Sequence, residues 1–132
     1  MVKKSAYDKL SGEIISAAIE VHKELGPGLL ESVYEYCLME ELERRGIKAR
    51  SQVPLPLRYK GAKLTKAFYI DILVEDLIIL ELKAVETIMP VHEVQLVTYL
   101  KLAEKKLGLL INFYVPVLKD GIRRKINGYF DE

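Results

Sequence analysis

The chain has 132 residues, half of them hydrophobic and 30% charged, with a net charge of +1. That is enough for one compact domain over 1–132 with a buried core, and the near-neutral balance excludes a chain-wide attraction for nucleic acid, so any such surface must be local. A lone cysteine excludes an intrachain disulfide or a thiolate zinc cluster, and the lack of a signal-like leader or a long apolar run makes a cytoplasmic protein the expectation, with no membrane partner.

After a short polar lead-in from Met1, the residues from about Asp8 to Leu25 carry an apolar stripe at three- and four-residue steps: Leu10, Ile14, Ala17, Ala18, Val21 and Leu25. This spacing predicts a helix, which Gly26-Pro27-Gly28 stops. A second helix is predicted from about Leu29 to Arg45, with Leu30, Val33, Tyr34, Cys37, Leu38 and Leu42 on its buried side and Gly46 as its cap. The period then changes to two. Val53, Leu55, Leu57 and Tyr59 alternate as in a half-buried strand, and Pro54 and Pro56, which lack N–H donors, put it at a sheet edge.

Lys60-Gly61 turns the chain. Strands are predicted over Ala67 to Val74 and Ile78 to Ala84, joined by a hairpin around Glu75-Asp76. Pro90 suits the first turn of a helix running to Lys105 or Lys106. Leu109 to Val115 reads as a strand covered on both faces, ended by Pro116. A basic tail with an Asp120-Gly121 turn signal follows. The order is ααβββαβ, an α/β fold with a small mixed sheet of about four strands flanked by helices.

Two strands carry misplaced charge. In Ile78-Ile79-Leu80-Glu81-Leu82-Lys83 the alternation puts Glu81 and Lys83 on one face. Asp71 interrupts the apolar run of the preceding strand. Charges on apolar strands cost desolvation energy unless paired or bound to an ion. Asp71, Glu81 and a backbone carbonyl such as that of Leu82 would give hard oxygen ligands for Mg²⁺ or Mn²⁺. The metal would activate a water, and Lys83 would orient it or stabilise the transition state. A structural carboxylate–lysine pair reads the same residues equally well. The metal reading makes one geometric demand. A two-residue turn at Glu75-Asp76 would pair Asp71 with Leu80 and send Glu81 to the opposite face. A shared site therefore requires an odd-length turn, such as Glu75-Asp76-Leu77, or a bulge.

His92, Gln95 and Tyr99 line one face of the third helix. Gln95 would hydrogen-bond a phosphate, a water or Lys83, and Tyr99 would touch the substrate; both also fit an amphipathic boundary, and His92 fits that boundary better than a site. Glu31, in the first turn of the second helix, would contact the metal directly or through water, though an acid there also suits the helix dipole. Lys119, Arg123, Arg124 and Lys125 form a basic cluster that would hold phosphates, or else an ordinary solvated tail. Cys37 reads as core, and His22 as a cap or core hydrogen-bonder.

Together these residues resemble the PD-(D/E)XK nuclease superfamily. Asp71 followed by Glu81-Leu82-Lys83 matches its D…ExK signature, and Gln95-Leu-Val-Thr-Tyr99 the Q-x-x-x-Y element of its exonuclease-like branches. Gly28-Leu-Leu-Glu31-Ser-Val-Tyr34 is similar to the motif that names the GxxExxY proteins, and the likeness extends over roughly residues 8 to 127. The resemblance implies a restriction-endonuclease-like fold and a Mg²⁺-dependent phosphodiesterase acting on nucleic acid, DNA ahead of RNA, with a homodimer as one expected form, as in small enzymes of this fold. The alternative is a catalytically silent module that keeps the fold and binds nucleic acid or protein.

Overall fold

In the computed structural model, residues 2–64 and 68–130 are described. Helix α1 (Lys4–Leu25) and helix α2 (Glu31–Arg44) come first, then strands β1 (Ala49–Pro54), β2 (Leu57–Tyr59), β3 (Ala62–Leu64), β4 (Tyr69–Val74) and β5 (Ile78–Lys83). Helix α3 (Pro90–Ala103), β6 (Leu107–Asn112), a 3-10 turn (Leu118–Gly121) and β7 (Ile122–Ile126) complete it. Among the described residues, no helix is long and apolar enough to cross a membrane.

Five strands form one mixed sheet in the order β1-β4-β5-β6-β7, in which only β5 and β6 run parallel. The α3 crossover makes that pairing possible, since parallel neighbours need a long connection. Helices α1 and α2 cover one face: Ile14, Ala17, Val21, Tyr34 and Leu38 pack with Leu80, Leu82, Leu109 and Ile111. Helix α3 covers the other, where Leu96, Tyr99 and Leu100 meet Leu73, Ile79 and Leu110. Gly108 permits the close approach of α3, for a Cβ there would lie 2.8 Å from Leu96 Cδ1.

The α/β class and the flanking helices agree with the sequence reading, and the strand inventory is larger. The alternation read as one strand from Val53 to Tyr59 is divided at Pro54–Pro56. The sheet edge is Ala49–Pro54, and Leu57–Tyr59 pairs instead with β3 in a separate hairpin. The tail is not irregular: β7 pairs antiparallel with β6 and closes the far edge of the sheet. Helix α1 begins earlier than predicted, at Lys4, and α3 ends earlier, at Ala103, where Glu104 turns left-handed (φ 55°). The predicted strand from Leu109 to Val115 lies at Leu107–Asn112. Ala67, the predicted start of the second strand, lies outside the described residues, as does Met1.

Candidate metal and phosphodiester site

Strands β4 and β5 pair as Ile72↔Leu80, Leu73↔Ile79 and Val74↔Ile78. The loop between them is therefore Glu75-Asp76-Leu77, an odd length. Glu75 and Asp76 are both left-handed (φ 51° and 56°), and the Leu77 N–H returns to the Val74 carbonyl at 2.9 Å. Continuing the register sets Asp71 opposite Glu81, on one face, as a shared site requires. Glu81 and Lys83 have the parity of Ile79, so they face α3, while Leu80 and Leu82 enter the core under α1 and α2.

Beyond Ile72↔Leu80 the ladder gives way to side chains. The Asp71 N–H donates to Glu81 Oε2 (2.9 Å), and the Leu82 N–H donates to Asp71 Oδ2 (2.8 Å). Each carboxylate thus anchors on the neighbouring strand. The N–H and C=O of one residue in a strand point to the same edge, so the Leu82 carbonyl opens on the Asp71 side.

Glu81 is buried and Asp71 half-buried. Burial, and then the charge of Asp71, pushes the Glu81 carboxyl up to about 8. Burial also holds Asp71 above its ordinary range, against the Leu82 N–H and Lys83 that favour its charged form. Among the described residues no cation lies in ion-pair contact with either acid. Two adjacent, desolvated carboxylates with no cationic partner among the described residues fit a divalent cation between them. Among the described residues no third His, Cys, Asp or Glu completes a ligand cluster.

Two helices reach this spot. From α3, Gln95 Nε2 donates to the buried Tyr99 hydroxyl at 2.7 Å. Burial raises the Tyr99 pKa, the Gln95 hydrogen bond lowers it, and the charges of Glu81 and Asp71 raise it further. His92 takes no part: its Nδ1 accepts the Met89 N–H at 3.0 Å and caps α3. From α2, the exposed Glu31 lies close enough to perturb Asp71. The Gly26–Leu30 loop before it is clamped, because the Tyr34 hydroxyl donates to the Gly26 carbonyl (2.6 Å) and accepts the Leu29 N–H (3.1 Å). Tyr34 in turn stacks on Phe113 at 4.4 Å, and His22 Nε2 lies 2.8 Å from the Val115 carbonyl beside them. Cys37 is half-buried against the core.

One neighbour was not singled out from sequence. Glu35, one turn beyond Glu31, is raised by burial, and it feels the charge of Asp71 and perturbs Glu81. It accepts from Gln52 Nε2 at 2.9 and 3.1 Å. Gln52 stands opposite Asp71 in the β1–β4 register and is left-handed (φ 52°), an uncommon state for a non-glycine residue. The i, i+4 step from Glu31 carried the signal, but acids on helices are too common to stand out. A groove of about 830 Å³ between α2 and β1, lined by Glu35, Glu40, Glu43 and Lys48, is not lined by Asp71 or Glu81.

The basic tail does not form one patch. Alternation along β7 sends Arg124 towards α1, where it pairs with Asp8 (3.1 Å), and Lys125 towards α3, where it pairs with Glu93 (2.7 Å). Arg123 Nη1 donates to the Asp120 and Ile122 carbonyls, and Lys119 is exposed. A family model for the PD-(D/E)XK nuclease superfamily matches residues 8–125. No curated protein and no solved structure matches the chain.

Proposed function

The chain belongs to the PD-(D/E)XK nuclease superfamily, and from that premise we propose that residues 1–132 are one nuclease domain that hydrolyses phosphodiester bonds with Mg²⁺ or Mn²⁺. The observation that carries this reading is the face-to-face placement of Asp71 and Glu81, desolvated, on adjacent strands, with Lys83 on the same face.

Asp71, Glu81 and the Leu82 carbonyl would hold the cation, and Glu31 would reach it through water. A divalent ion there supplies Lewis acidity towards the phosphate and lowers the pKa of the attacking water. Lys83, half-buried and outside any ion pair among the described residues, is free to orient that water and to offset charge that develops on the phosphate. Gln95 holds the Tyr99 hydroxyl and has a second N–H left for a phosphate oxygen. The clamp of Tyr34 on the loop before Glu31 gives the GxxExxY motif a physical reason and supports a place in that group.

The test is cleavage of DNA and RNA panels in Mg²⁺ and Mn²⁺. Lys83→Ala should fold, bind the metal and lose roughly 10²- to 10³-fold in rate. Anomalous signal from Mn²⁺ between Asp71 and Glu81 would support the site. An unoccupied pair, together with no cleavage, would leave the reading as a silent binding module.

A further inference from the structure

We propose that the β2–β3 hairpin is a DNA-gripping ribbon that seats on a duplex beside the cleaved bond through Arg58, Lys60 and Lys63; this rests on the nuclease reading. From Val53 to Ile70 the sequence holds four cations (Arg58, Lys60, Lys63 and Lys66) and no Asp or Glu, although the whole chain is only +1. The charge that composition hides is concentrated in one segment.

The register sharpens this. Arg58 pairs directly with Lys63, so two like charges share one face of a two-stranded ribbon. Such a pair destabilises a ribbon unless something anionic lies against it. Among the described residues, none of the three cations is in an ion pair, whereas Arg124 and Lys125 of β7 each hold a carboxylate. Lys60 stands at the tip, where Lys60 and Gly61 are both left-handed (φ 51° and 83°), a tight two-residue turn that keeps the ribbon narrow. Tyr59 is 62% exposed, with the Lys60 ammonium 5.4 Å from its ring.

The ribbon is tied to the site. It continues the β1–β4 ladder outward through Pro54↔Tyr69 and the Leu55 N–H to Phe68 carbonyl bond of 2.8 Å. The Phe68 ring lies 6.1 Å from that of Tyr99. Lys60 lies eight positions beyond Gln52, which stands opposite Asp71, a reach of at most about 27 Å. That is less than one duplex turn of about 34 Å. A B-form major groove admits a two-stranded ribbon, whereas that of A-form RNA is too deep and narrow. The geometry therefore selects duplex DNA.

Binding of a fluorescent DNA duplex in EDTA, followed by anisotropy from 50 to 200 mM salt, tests this without turnover. With Arg58, Lys60 and Lys63 all changed to Ala, the salt-dependent fall in affinity should shrink roughly 40-fold, about three phosphate contacts' worth. Lys125→Ala should change it less. Lys63→Glu gives a second arm, because it creates a cross-strand pair with Arg58 that favours the hairpin yet should weaken DNA binding. Unchanged salt dependence in the triple variant, a Lys63→Glu variant that binds like wild type, or no duplex binding by the wild type would each overturn the proposal. So would hairpin-dependent binding of duplex RNA as tight as that of DNA. If the cations serve only to keep the ribbon edge from self-pairing, the triple variant will aggregate in light scattering and bind DNA normally. Cleavage is not read, so a failure of the nuclease reading shows separately, as intact substrate in Mg²⁺ and Mn²⁺.

Discussion

On the proposed reading, a proton and a divalent cation would compete for the same Glu81 oxygens. Its carboxyl is pushed up to about 8, first by burial and then by Asp71, so metal binding must release a proton through most of the neutral range. Mg²⁺ or Mn²⁺ affinity measured by calorimetry should rise with pH, approaching tenfold per unit, and level off above about 8. A flat profile would place the metal elsewhere. Tyr34 makes a second residue-scale case. Its hydroxyl serves both Gly26 and Leu29, so Tyr34→Phe should cost about 1 to 3 kcal/mol in urea unfolding. It should also slow cleavage through Glu31, which the released loop no longer holds.

Among the elements, α3 is placed by the glycine beneath it. Gly108→Ala would drive a Cβ to 2.8 Å from the buried Leu96 Cδ1, at a cost of about 1 to 3 kcal/mol. Gln95 and Tyr99 should shift with the helix, so kcat should fall more than metal affinity; equal losses would argue that α3 stays in place. The helices and the two site strands were legible because apolar periodicity and one misplaced acid per strand speak without tertiary context. Even the parity of the β4–β5 loop followed from asking Asp71 and Glu81 to share a face. Strand β7 was not legible, because Arg123, Arg124 and Lys125 mask the two isoleucines at its ends and pairing with β6 alone makes it a strand. The division of Val53 to Tyr59 was hidden for a different reason: alternation is the same in a sheet edge and in a free hairpin. Glu35 became visible only when Gln52 and Asp71 were beside it.

For the whole molecule, the site is a stored cost. Native Glu81 keeps a proton that the unfolded chain releases between its ordinary 4.5 and about 8, so metal-free stability should fall as pH rises through that window. The melting temperature without metal should drop by a few degrees or more from pH 6 to 8.5. Glu81→Gln should remove most of that slope, and added Mn²⁺ should restore more stability at the alkaline end. Equal slopes in the two proteins would assign the pH dependence to other groups. The β4–β5 turn is pinned on several sides: the Lys48 N–H donates to Glu75 Oε2 and the Glu75 N–H to the Lys48 carbonyl, while Asp76 faces Arg50 and Lys105. This bracing guards a count. Deleting one residue there would act like a frameshift in space, turning Glu81 and Lys83 into the greasy layer under α1 and α2 and presenting Leu80 and Leu82 to the substrate, with every strand still in its place.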